Sequence, residues 1–119
     1  MDRFHLPDEA RLAGQLAGWV FAHLSFALPV DRLIETPEWI AFYHPKPCYP
    51  LHILLVPKKA IANLSAIDPN DSGLISGLIE IVQLLVKQLD LQNRGYRLIT
   101  NGGPYQSIQQ LHFHLISEK

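Results

Sequence analysis

The chain has a single cysteine, Cys48, which excludes an internal disulfide and a cysteine-built zinc site. That scarcity fits a reducing compartment, so a cytoplasmic location is expected. Net charge is also nearly absent. Ten Lys and Arg stand against eleven Asp and Glu, for a formal charge of −1. There is no basic field of the kind nucleic acid selects, and no block of like charges that would form a solvated tail. Internal repeats, low-complexity tracts and Gly/Ser linkers are missing too. A basic leader is lacking, since Asp8 and Glu9 precede the first apolar run, which argues against a signal peptide. That run, Leu12 to Val30, carries no charge and approaches the length of a membrane span. Gln15, His23 and Ser25 interrupt it and Pro29 closes it. Leu12, Leu16, Trp19, Val20 and Leu24 recur at helical spacing, opposite Ala13, Gly14, Ala17 and Gly18. This pattern predicts an amphipathic helix packed on a soluble domain, with no membrane partner.

What the chain does have is enough apolar material for one core. At 119 residues and 48% hydrophobic, it fits a single compact domain. After the N-terminal helix, short strands are expected at Arg32–Glu35 and Trp39–Tyr43. Three prolines between Pro45 and Pro50 make a stiff connection, because each lacks a ladder donor. Leu51–Val56 reads as an apolar strand ended by Pro57. A long helix follows, with Asp68 as its cap, Pro69 at its first position and Asp71 three residues after the cap. Leu74, Leu78, Ile81 and Leu85 share its apolar face, and Asn93-Arg94-Gly95 ends it. Strands at Tyr96–Thr100 and Gln110–Ile116 complete an α+β pattern, a largely antiparallel sheet of five strands with helices packed on it. The domain division is a helical extension over 1–27 and one compact domain over 28–119.

The chemistry gathers in the last strand. His112 and His114 lie two apart, so strand geometry would put both imidazoles on one face with Gln110 in line. Leu111, Phe113 and Leu115 would face the core. Paired imidazoles at this spacing serve as an acid/base or nucleophile set, as two metal ligands, or as nothing more than a polar strand face. Upstream, Asn101-Gly102-Gly103 allows the backbone to approach a ligand, and successive N–H groups in such a turn can bind an anion. Asn-Gly is equally a plain turn signal. Trp39, Phe42 and Tyr43 read as core or pocket wall. Lys58 and Lys59 read as a solvated strand end, and Cys48 as a small buried side chain.

The stretch Gln106-Ser107-Ile108-Gln109-Gln110-Leu111-His112-Phe113-His114-Leu115-Ile116 resembles the signature of the HIT (histidine triad) family, in its Hint-like branch. A second stretch, Ile40-Ala41-Phe42 through Leu51-His52-Ile53-Leu54-Leu55-Val56-Pro57-Lys58-Lys59, is similar to that family's strand, Pro-rich bend and His-bearing strand. Together the matches span roughly residues 28 to 117. The resemblance implies a HIT-like fold, a homodimer joined across its sheets, a purine nucleotide ligand, and hydrolysis or transfer of the nucleotidyl group at the α-phosphate. No cofactor or metal is implied. His112 matches the nucleophile, and imidazole suits that role because it is nucleophilic when neutral. Its other ring nitrogen is expected to be held as a donor by a main-chain carbonyl. His114 matches a phosphate-binding histidine and Ser107 a hydroxyl near the leaving group. Asn101, Gln106 and Phe42 match substrate-side positions, and His52 matches a second-strand histidine supporting the row.

Two departures fall at the substrate. Gln110 stands where the first histidine of the triad is expected, and an amide cannot carry a titrating proton. His44 stands where an acid often accepts from ribose hydroxyls. The alternatives are therefore a nucleotide-binding module with weak turnover, and a metal site drawn from His112, His114 and either His52 or His44.

Overall fold

The computed structural model describes residues 32–119. The expected N-terminal helix and the whole of the uncharged run lie outside them. The described chain forms β1 (Arg32–Glu35), β2 (Trp39–Tyr43), β3 (Leu51–Pro57), α1 (Ser72–Gln88), α2 (Leu91–Arg94), β4 (Arg97–Ile99) and β5 (Phe113–Ser117). The strands make one five-stranded sheet in the order β1-β2-β3-β5-β4, and every pairing is antiparallel. Among the described residues no helix is long and apolar enough to cross a membrane.

The central strands are mostly apolar and are buried on both faces. β3 is buried at all seven positions and β2 at four of five. One face carries Trp39, Ala41, Ile53, Leu55, Phe113 and Leu115, which pack with Leu74, Ile81 and Leu85 of α1. Trp39 Nε1–H donates to the Leu74 carbonyl at 2.8 Å, which ties the helix to β2. A Cβ on Gly77 would stand 3.1 Å from Trp39 Cδ1, so the helix approaches the indole where it has no side chain. Directly opposed residues of antiparallel strands share a face. The second face therefore carries Phe42, Leu54 and His114 in one row, with His52 and Ile116 in the next.

Three boundaries differ from expectation by more than one residue, while β4 is one residue shorter at each end and β3 and β5 one residue longer at their C-terminal ends. The helix cap is Asp71, whose Oδ1 accepts from the Leu74 N–H at 3.1 Å. Asp68 instead closes a turn, accepting from the Asn70 N–H at 2.9 Å. Both acids are competent caps, and the chain direction after Pro69 decides between them. The Asp71 carboxyl is held below its ordinary range, first by that Leu74 N–H and then by Lys59. The helix stops at Gln88 because Asp90 adopts a left-handed conformation (φ 55°), and α2 follows as a separate turn ending on Gly95 (φ 85°). The last strand begins at Phe113, so Gln110, Leu111 and His112 precede it. Leu111 N–H donates to Ile61 O at 2.7 Å, which draws the chain away from β3 before the ladder starts.

Candidate active site

Four imidazoles gather at one end of the second sheet face. His44 stacks on His52 with ring centroids 4.3 Å apart, His52 lies 5.1 Å from His114, and His114 lies 5.0 Å from His112. Strand pairing sets His52 and His114, both at most 2% exposed. His44 follows β2, and its N–H donates to His52 O at 2.8 Å, which extends the pairing one residue into the Pro-rich bend.

The hydrogen bonds fix which nitrogen of each ring carries the proton. Lys46 N–H donates to His44 Nδ1 at 3.0 Å, and Cys48 N–H donates to His52 Nδ1 at 3.1 Å. A nitrogen that accepts from a backbone amide must hold a lone pair, so a neutral His52 carries its hydrogen on Nε2. That Nε2 lies 2.9 Å from His114 Nδ1. His52 therefore donates, His114 Nδ1 accepts, and a neutral His114 presents Nε2–H. His112 is the reverse. Its Nδ1 lies 2.8 Å from Gln110 O, and a carbonyl can only accept, so Nδ1 is the donor and Nε2 holds the lone pair. Two neighbouring imidazoles thus present opposite chemistry at Nε2, a lone pair on His112 and an N–H on His114. A main-chain carbonyl holds the His112 ring, as the sequence led us to expect.

The expected in-line row does not extend to Gln110. His112 and Gln110 lie before β5, and it is the Gln110 carbonyl that meets the imidazole. Its side chain is 3% exposed and directs Nε2 toward Lys59 O at 3.5 Å, while Oε1 is buried with no hydrogen-bond partner. Gln106 is buried as well, and its amide donates to Ala62 O at 2.7 Å, tying the 101–111 loop to the segment after β3. Ser107 is exposed on that loop, and Asn101 is half-buried at its start. Phe42 lies on the histidine face, 1% exposed. Cys48 is exposed, contrary to the sequence reading, because the Pro-rich bend turns it outward while its backbone N–H serves His52. Lys58 pairs with Glu35 at 2.7 Å, and that hydrogen bond is the main reason the Glu35 carboxyl sits below its ordinary range.

Sequence reasoning missed two sets of contributors. Thr100 Oγ1–H donates to His112 O at 2.9 Å and fixes the backbone beside the ring. The amides of Lys46 and Cys48 set the tautomers. Backbone donors leave no trace in side-chain identity, and only the proline spacing hinted at a rigid bend. Among the described residues no group of three or more His, Cys, Asp or Glu is placed to hold a metal ion. At His52 both ring nitrogens are already engaged.

The HIT domain matches residues 26–119. A HIT-like protein from Chlamydia trachomatis is 34% identical over 92 residues, covering 76% of this chain and 82% of that one. Among solved structures, a HIT family hydrolase from Legionella pneumophila is similar at 29% identity with a TM-score of 0.70, covering 77% of this chain and 84% of that one. A histidine triad nucleotide-binding protein from Candida albicans is similar at 30% identity and a TM-score of 0.65, covering 74% and 65%. The α+β sheet and its long helix agree with these likenesses, and the chain belongs to the HIT domain family.

Proposed function

We propose that this chain binds a purine nucleotide and cleaves or transfers its nucleotidyl group through a covalent intermediate on His112, in the manner of the Hint-like branch. The observation that carries the proposal is the pair of opposed tautomers. The His112 Nε2 lone pair attacks the α-phosphorus while His114 Nε2–H donates to a phosphoryl oxygen, where negative charge accumulates. The bond from phosphorus to the leaving group breaks, and the departing atom keeps the electron pair and takes a proton from water. A second water then attacks phosphorus. The P–N bond returns its electrons to His112 Nε2, and the water's proton goes to solvent. The Gln110 carbonyl keeps Nδ1–H in place and is well sited to stabilise the ring as it becomes cationic.

Ser107 is assigned to the leaving-group side, and Asn101, Gln106, His44 and Phe42 to substrate binding. For Gln106 the bond to Ala62 supports a role through the loop. The Candida albicans relative is described as nucleotide-binding, which supports the ligand class. A homodimer is part of the proposal. Ile75 and Ile79 of α1 are 38% and 49% exposed, and Tyr96 and Leu98, beside and on edge strand β4, are 42% and 37% exposed. A sheet edge with apolar neighbours is suited to a second copy.

The test is AMP release from adenosine 5′-phosphoramidate by the wild type and by His112→Ala. The proposal expects release that falls by more than about a thousandfold in the variant, the scale of losing a nucleophile. A second reading, a binding module with little turnover, draws on Gln110, which offers an amide and no titrating group beside the nucleophile. AMP binding without release would select it.

A further inference from the structure

Cleavage at phosphorus requires a proton for a basic leaving group as well as a nucleophile. The His112 proton sits on Nδ1, bound to Gln110 O at 2.8 Å and across the ring from the attacking Nε2. An in-line displacement puts the leaving group on the far side of phosphorus, out of reach of that proton. His114 presents Nε2–H. To give that proton up and stay neutral, it must take the His52 hydrogen onto its Nδ1, 2.9 Å away. His52 would then hold lone pairs on both nitrogens, because its Nδ1 faces the Cys48 N–H at 3.1 Å and a backbone amide does not release its proton. The result is an imidazolate at a residue 2% exposed, and buried charge is costly. A His114 that entered the step already cationic would set an Nδ1–H against the His52 Nε2–H, again in the interior. His44 meets His52 face to face at 4.3 Å, and stacked faces pass no proton.

The surrounding chain adds no acid. Residues 39–57 and 95–117, which carry the four imidazoles, contain no Asp or Glu. Lys46 and Cys48 are exposed on the Pro-rich bend and meet the row through their backbone N–H groups. Gln110 is an amide, and Ser107 offers a hydroxyl that donates a hydrogen bond without being acidic near neutral pH. Among the described residues, the row offers the reacting group hydrogen-bond donors and holds its protons in place.

We propose that this site gives the leaving group hydrogen bonds but no proton, so that it selects nucleotidyl donors by the acidity of the group that departs. The inference rests on the His112 reading. The preferred substrate is a nucleoside monophosphate joined through oxygen to an acidic group that is stable as an oxyanion. In its first step the His112 Nε2–P bond forms and the P–O bond breaks. The oxygen keeps the electron pair and leaves unprotonated. His114 Nε2–H stays on its nitrogen throughout and stabilises charge on a phosphoryl oxygen.

The experiment compares kcat/KM for the 4-nitrophenyl and phenyl esters of AMP, which are alike in shape and differ in leaving-group acidity. The wild type is expected to favour the nitrophenyl ester by more than about a hundredfold, the lower end of what a positioned acid would otherwise supply to the phenyl ester. His114→Gln keeps an N–H donor but has no titrating group. It is expected to slow both esters alike, by about a hundredfold or more, and to leave their ratio unchanged. A wild-type ratio near one, with release still dependent on His112, overturns the inference and leaves the His112 chemistry standing; this reading needs no variant of His114. A ratio that rises in His114→Gln shows that His114 delivers a proton, and overturns it equally. No His112-dependent release from either ester overturns the His112 reading and the inference together.

Discussion

Replacing His52 by Leu tests the tautomer chain at its middle link. His52 accepts from Cys48 N–H at 3.1 Å and pairs with His114 Nδ1 at 2.9 Å. Leucine fills similar space but offers neither contact. Cys48 is exposed, so its amide can turn to water at little cost. His114 is 1% exposed, and its Nδ1 loses this donor in the interior, which costs about 1–3 kcal/mol. The stack with His44 is also lost, while the added apolar burial of leucine returns part of the total. A net loss of about 2 kcal/mol, out of the roughly 5–15 kcal/mol typical of a domain, would raise the unfolded fraction by about thirtyfold. The chemistry should suffer separately. Without the donor from His52, the His114 ring can carry its hydrogen on Nδ1 and turn a lone pair toward the phosphoryl oxygen. Losing one such donor lowers kcat by about 10² to 10³. Urea unfolding reads the first effect, AMP release reads the second, and long-range proton–nitrogen correlation spectra report which nitrogen of each imidazole is protonated. Wild-type spectra should show Nδ1–H on His112 and Nε2–H on His44, His52 and His114. A variant within about 0.5 kcal/mol of wild type, with His114 still protonated on Nε2, would refute the argument.

Two further outcomes follow from single contacts. Gln110→Met removes the buried, unpartnered Oε1 but keeps the carbonyl on His112, so stability should hold or rise and kcat should fall by less than about tenfold; a loss as large as that of His112→Ala would show that the amide itself takes part. Asp71→Ala removes the cap of α1 and should lower the melting temperature at neutral pH. Because the folded state depresses the Asp71 pKa, its contribution is complete above the ordinary aspartate range and is lost as pH falls through the lowered value. The gap between wild type and variant should therefore close in acid below about pH 4, and a gap that widened there would contradict the assignment.

Much of this protein was written locally. β1 and β2 were read at their observed limits, β2 from its aromatic and β-branched residues, and a continuous apolar run marked β3 to within one residue, because such composition is a property of neighbours in the chain. The spacing of Leu74, Ile81 and Leu85 marked the buried face of α1 for the same reason. His112 and His114 stood out from their spacing and their Gln-Ser lead-in, and His52 from the second match. Where local signals competed, the sequence could not choose. Asp68 and Asp71 are both good caps, and β5 starts late because Leu111 is drawn to Ile61, 50 residues upstream.

The pattern of residues thus determined the sheet, its long helix and the presence of clustered imidazoles. Only the tertiary structure decided what those imidazoles can do. An isolated histidine exchanges its proton freely between two nitrogens. Here backbone amides from the Pro-rich bend and a carbonyl from the loop before β5 remove that freedom, one ring in each sense. Those partners come from segments joined only by folding, and main-chain groups are common to every residue, so their positions could not be read from side-chain identity.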